Sequence, residues 1–348
     1  MSPLLDAPST PDSYSYSGDS YQPVRPANTM SNNSSSRPLV PGIYVPTIAF
    51  FDPSSDDVDV YTVGSHAVRL AQAGVAGITT QGSNGEAVHL SHKERNLITR
   101  TTRKALDDAG FEEMPVIVGC GVQSTRECIE LCEEAASAGG DYALVLPPAY
   151  YQGLFSKDTV KEFFREVAGA SPIPILIYNY PGAVSGLDLN SDVIIELAEH
   201  PNIVGCKLTC GNTGKLNRIA AATNAVTVHN AGSGFMCMGG SVDFTLQTLI
   251  GGGSGIIGGM ANIAPKTCVR LIELYKAGKI QEAQKLQAII ARGDWAAIRG
   301  GIIGTKAGLV AHFGYGGFAR RPLPRPSKEE EDKWKNDFDE LVKTEKSL

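Results

Sequence analysis

From residue 41 onward, short apolar runs of strand length alternate with longer stretches whose apolar residues recur at helical spacing. Eight such runs can be counted, at residues 43–50, 77–80, 116–119, 142–146, 175–178, 203–207, 226–229 and 255–257. Each is nearly continuous in apolar or β-branched residues, the pattern of strands covered by protein on both faces. Amphipathic stretches such as 60–73, 93–106 and 125–138 lie between them, and Ser91 with Glu94 three residues on forms a capping box that opens one of them. Eight strand–helix units predict an α/β fold, a (β/α)8 TIM barrel, over residues 39–275. Beyond Pro265 the strand pattern stops and helical periods continue, which predicts a C-terminal helical appendage over residues 276–348. Its last segment opens on a second capping box, Ser327 with Glu330, and Trp334, Phe338 and Leu341 line one face.

Residues 1–38 are rich in Ser, Pro, Asn and Tyr without either period, and read as a disordered N-terminal tail. The tail carries Asp6, Asp12 and Asp19 against Arg25 and Arg37, whereas a mitochondrial presequence is Arg-rich and poor in acids. The expected location is therefore cytoplasmic rather than mitochondrial. Lys and Arg total 31 against 37 Asp and Glu, so the net charge of -6 offers no basic field for a nucleic acid partner. No apolar stretch is long enough to span a membrane. The seven cysteines, at 120, 128, 132, 206, 210, 237 and 268, include no CxxC pair and read as reduced thiols, with neither a metal site nor a cofactor expected.

In a barrel the reactive side chains belong at the carboxyl ends of the strands. Lys207 ends the run Ile203, Val204, Gly205, Cys206, Lys207, while Lys93, Lys104, Lys161 and Lys285 lie on polar helix faces. Burial at a strand end disfavours an ammonium and leaves an amine able to attack a carbonyl, although a strand-end lysine also commonly snorkels to water. Tyr178 ends another strand and offers a phenol for proton transfer. The loop Gly82, Ser83, Asn84, Gly85, Glu86 can turn successive backbone N–H groups toward an anion. Two other patterns carry less. Gly253, Gly255 and Gly258 match GxGxxG, but the predicted strand lies inside the motif, where a dinucleotide site needs strand, turn and then helix. His89 and His92 straddle a loop and a helix start with no second cluster to complete a metal shell.

Taken in order, GSNGE at 82–86, PPAYY ending at Tyr151, YNYP at 178–181, VGCK ending at Lys207 and SGIIGGMAN at 254–262 resemble the dihydrodipicolinate synthase and N-acetylneuraminate lyase family of pyruvate-dependent class I aldolases. The resemblance runs from about Pro41 to past Gly317. It implies that Lys207 forms an imine with a 2-oxo acid such as pyruvate, that Tyr178 shuttles protons, and that Ser83 relays them. It further implies that the backbone of Ser83 and Asn84 cradles the carboxylate, that Gly232 and Ile257 line the pocket, and that Thr209 contacts the substrate. Tyr151 matches a tyrosine that reaches into the neighbouring subunit's site, so a homo-oligomer, dimer or tetramer, is implied.

Departures from the pattern bear on the substrate. Where dihydrodipicolinate synthases place a carboxylate-clamping arginine after YNVP, this chain reads Pro181, Gly182, Ala183, Val184. Asn84 replaces the second hydroxyl of GTTGE. GSNGE, the unclamped YNYPGA and the HFGYGG stretch at 312–317 resemble the 4-hydroxy-2-oxoglutarate aldolase branch, although Leu208 stands where an acidic residue is usual and Thr209 where that branch has serine. The expected activity is cleavage of a 4-hydroxy-2-oxo acid, such as 4-hydroxy-2-oxoglutarate, to pyruvate and an aldehyde. Dihydrodipicolinate synthesis, cleavage of a 2-keto-3-deoxy sugar acid and keto-acid binding without turnover are the alternatives.

Overall fold

The computed structural model describes residues 37–348. Among them, eight parallel strands close a barrel in chain order: β1 Gly42–Pro46, β2 Gly77–Thr80, β3 Val116–Gly119, β4 Tyr142–Val145, β5 Ile175–Asn179, β6 Ile203–Leu208, β7 Met236–Gly239 and β8 Gly255–Ile257. One helix follows each strand: α1 Val60–Gln72, α2 His92–Asp108, α3 Thr125–Ser137, α4 Lys157–Ala170, α5 Ser191–Leu197, α6 Thr213–Ala222, α7 Thr245–Ile250 and α8 Pro265–Lys276. Two more, α9 Ile280–Phe313 and α10 Lys328–Ser347, complete the chain. The tail expected over 1–38 lies outside the described residues except for Arg37 and Pro38; Arg37 donates to Asp141 at 3.0 Å.

Side-chain alternation along the strands builds two cores. Tyr44, Ile117, Leu144, Leu176, Tyr178, Met236, Met238 and Ile257 point into the barrel, while neighbours such as Val45, Val118, Ile177, Cys206 and Cys237 pack outward against the helices. Capping fixes where the helices begin. Asp59, Ser124, Asn190 and Asn212 each accept a backbone N–H of the first turn, and the boxes at Ser91 and Ser327 both form. At the far end of the chain Phe338 and Leu341 are buried against α9, where Gly293 and Gly308 let the two helices approach closely. Gly301, with φ +54, interrupts α9.

Two strand boundaries differ from the pattern. The first strand stops at Pro46 rather than at 50, and the Pro46 carbonyl accepts from the Asn262 amide. The seventh strand is ten residues later than 226–229. Val226, Thr227 and Val228 have strand-like side chains, but Thr227 N–H donates to Asn230 at 2.8 Å and closes a turn. The strand itself is Met-Cys-Met-Gly, without a β-branched residue; it is set by burial on both faces rather than by propensity.

All seven cysteines are free thiols. No helix among the described residues is long and apolar enough to cross a membrane.

Candidate active site

The carboxyl ends of β2, β5, β6, β7 and β8 converge with α9 on a cavity of about 170 Å3. A larger cavity of about 420 Å3 lies at the opposite end of the barrel, lined by Gly42, Thr227 and Lys276, away from the reactive side chains. In the smaller one, Lys207 and Tyr178 are Cα partners across the β5–β6 pair. Both side chains are buried, at 3% and 4% exposure, and Lys207 Nζ lies 4.2 Å from the centre of the Tyr178 ring. Tyr180 stacks on Tyr178 at 5.8 Å between ring centres. The Tyr178 hydroxyl and Ser83 Oγ are 3.5 Å apart, at the limit of a hydrogen bond.

The loop after β2 is held by its own backbone and by distant elements. Gly85 N–H and Ala87 N–H both donate to the Gly82 carbonyl. Gln81 and Glu86, both in the left-handed region at φ +51 and +52, turn the chain at either end. The Glu86 carboxylate is fully buried. It accepts Lys306 Nζ of α9 at 2.8 Å on one oxygen, and Arg320 N–H at 2.8 Å on the other, where His89 Nδ1 is 3.2 Å away. Within this frame the backbone N–H groups of Ser83 and Asn84 donate to nothing among the described residues. Two adjacent unspent N–H groups beside a buried lysine can receive a carboxylate whose neighbouring carbonyl faces the amine.

Beneath the cavity, Asn262 ties three segments together. Its amide donates to the carbonyls of Pro46 and Gly259, which both line the cavity, and its Oδ1 accepts Ile48 N–H and His66 Nε2–H. His66 Nδ1 is left to accept the Tyr315 hydroxyl at 2.7 Å. Burial pulls His66 down to about 3, so the ring is neutral.

Of the residues singled out in the sequence, Lys207, Tyr178, Ser83, Asn84 and Thr209 share this cavity. Ile257 is buried in the layer below, packed with Tyr178 inside the barrel. Tyr151 is 63% exposed and meets the Tyr150 ring edge-on. Gly232 is a correction: it lies in the turn that precedes β7, at the other end of the barrel. Its φ of +51 and the Asn224 carbonyl, 2.2 Å from any added Cβ, account for the glycine. Gly232 was implied by the family resemblance alone; Gly240, just past the seventh strand, borders the cavity instead. Ala183 lines an adjoining cavity of about 320 Å3 that shares Ser83 and Tyr178, and no charged side chain among the described residues borders it.

Three polar groups of the site went unread: Ser241, Thr305 and Asp294. Asp294 shares its face of α9 with Ala297, Ile298, Gly301 and Thr305, and a lone acid among small and apolar residues was its only signal. His89 and His92 bond to carboxylates rather than to each other, and no group of three or more metal-ligating side chains occurs among the described residues. The glycines at 253, 255 and 258 flank and enter β8.

Residues 40–343 match the dihydrodipicolinate synthetase family. A protein of Emericella nidulans named "Probable 4-hydroxy-2-oxoglutarate aldolase, mitochondrial" is 60% identical over 312 residues, covering 90% of this chain and 98% of that one. The L-threo-3-deoxy-hexylosonate aldolase of Hypocrea jecorina is 51% identical over 307 residues, covering 88% and 98%. Among solved structures, a dihydrodipicolinate synthase family protein from Coccidioides immitis superposes with a TM-score of 0.78 at 34% identity, covering 90% and 99%.

Proposed function

The chain belongs to the dihydrodipicolinate synthetase family, and we propose that it is a class I aldolase that cleaves 4-hydroxy-2-oxo acids to pyruvate and an aldehyde. The observation that carries this reading is the buried Lys207 amine over the Tyr178 ring, beside the unspent N–H groups of Ser83 and Asn84. The names of the two fungal relatives support it, since both substrates are 4-hydroxy-2-oxo acids.

The substrate carboxylate binds the Ser83 and Asn84 N–H groups, which brings C2 to Lys207. The neutral amine adds to C2, and loss of water, with protons moved by Tyr178 and Ser83, leaves a protonated imine. Tyr178 then takes the C4 hydroxyl proton. The C3–C4 bond breaks, its electron pair passing to the imine to give an enamine, and C4 leaves as an aldehyde. Protonation at C3 and hydrolysis of the imine release pyruvate and free Lys207. Tyr151 completes the relay from a second copy of the chain, in a homodimer or a tetramer built from it; the exposure of Tyr150, Tyr151 and Leu154 supports such a contact. The acidic residues of the N-terminal 36 support a cytoplasmic location, against the mitochondrial name of the Emericella relative; fractionation of cells decides it.

Pyruvate release from a panel of 4-hydroxy-2-oxo acids tests the activity. Condensation of pyruvate with aspartate semialdehyde as the faster reaction would contradict it, and the lack of a cationic side chain among the described residues that line the Ala183 cavity argues against that outcome.

A further inference from the structure

With the carboxylate on Ser83 and Asn84 and C2 bonded to Lys207, the substrate from C4 outward must lie against the remaining walls of the cavity. Those walls are Thr209 after β6, Ser241 after β7, and Asp294 and Thr305 of α9. Asp294 is 3% exposed. Its Oδ2 accepts Ser241 Oγ at 2.5 Å and Asp243 N–H at 3.0 Å, while Oδ1 has no partner among the described residues. Thr209 Oγ1 is likewise buried without a hydrogen bond. Lys207 and Asp294 are the only charged side chains around this cavity among the described residues, and the protonated imine keeps the Lys207 charge at C2, beside the substrate's own C1 carboxylate. Burial, reinforced by Asp243 nearby, pushes Asp294 up to about 6, which still leaves it ionised at neutral pH.

A buried carboxylate with an unspent oxygen is a strong acceptor for hydroxyl donors and repels a second carboxylate. We propose that Asp294 is the specificity-determining residue for the aldehyde half of the substrate: its free oxygen accepts hydrogen bonds from a polyhydroxylated chain, and its charge excludes a chain that ends in a carboxylate. The substrate class is then a 3-deoxy-2-oxo sugar acid rather than a short dicarboxylic hydroxy-oxo acid. This inference rests on the aldolase reading above and narrows it. A terminal carboxylate would meet Asp294 with no cationic side chain in the cavity wall among the described residues other than Lys207, which is bonded to C2 beside the first carboxylate. Hydroxyls, by contrast, would hydrogen-bond to both Asp294 Oδ1 and Thr209 Oγ1, neither of which has a hydrogen-bond partner among the described residues.

The test is the ratio of kcat/KM for condensation of pyruvate with glyceraldehyde to that with glyoxylate, measured on the full chain and on Asp294→Asn. The expected result is that the full chain favours glyceraldehyde and that Asp294→Asn moves the ratio roughly 10- to 100-fold toward glyoxylate. A ratio does not depend on the fraction of enzyme folded, so a merely structural loss leaves it unchanged. Preference of the unmodified chain for glyoxylate, or a ratio that the substitution does not move, overturns the proposal. Borohydride trapping of the unmodified chain with pyruvate separates the two levels. A trapped adduct with neither aldehyde used overturns the role of Asp294 alone, and no adduct overturns the aldolase reading as well.

Discussion

Tyr178 and Lys207 stand level across the β5–β6 pair because the ladder slips by one residue below them. Ile175 pairs with Ile203, but Leu176 pairs with Gly205, so Val204 is the extra residue of a bulge. Without it Tyr178 would face Cys206, whose side chain packs outward in the helix-facing core. The irregularity brings the amine and the phenol to the same height inside the barrel, where Nζ lies 4.2 Å from the ring centre.

Lys207→Arg is expected to abolish turnover, because a guanidinium forms no imine, while the charge and most of the packing are retained. Tyr178→Phe keeps the ring against Lys207 and removes only the hydroxyl near Ser83. It is expected to lower kcat about 10²- to 10⁴-fold with an unchanged melting curve. A kcat equal to the parent's would remove Tyr178 from proton transfer.

Glu86→Ala would leave Lys306, 1% exposed, without its carboxylate. Removing one partner of a buried pair costs about 3–5 kcal/mol, readable as a lower urea midpoint. Replacing both residues by apolar ones, Glu86→Leu with Lys306→Met, is expected to return part of that loss. If the double variant is less stable than Glu86→Ala, the ion pair is not the source of the cost.

Stability should fall as the medium is acidified from about pH 6.5 toward 3. His66 is held neutral down to about 3 in the folded protein and protonates near 6.5 when unfolded, so the unfolded chain binds the extra proton in that window. Asp294 has the opposite sign: raised from 3.8 to about 6, it binds the extra proton when folded and offsets part of the loss between those values. The His66 shift is the larger, so the net slope is set by it. Urea denaturation at several pH values checks this, and His66→Gln should flatten the curve.

Much of this was legible before the structure. Seven of the eight strands were readable from apolar runs, and the two capping boxes from their spacing, because both signals are local. The seventh strand was not: its Met and Cys residues owe their conformation to burial between barrel interior and helices, and the nearby Val-Thr-Val turn carried the stronger local signal. Lys207 and Tyr178 were legible as strand-end residues, and Ser83 as part of the glycine-rich loop after the second strand. The Glu86–Lys306 pair, 220 residues apart, and Asp294 on a helix beyond the barrel depend on tertiary placement that no local pattern encodes.

If Tyr151 serves a neighbouring subunit, two defective chains should complement each other. Mixed oligomers of Lys207→Arg and Tyr151→Phe chains contain sites that pair an intact Lys207 with an intact Tyr151, and their activity should exceed the average of the two parents. Activity no higher than that average would confine Tyr151 to its own chain.

The most direct test of the central claim is borohydride reduction of the protein with and without pyruvate, followed by intact mass and peptide mapping. The account requires a pyruvate-dependent adduct on the peptide that carries Lys207 and none in the Lys207→Arg protein. Folded protein that gives no adduct, or an adduct on another lysine, would contradict it.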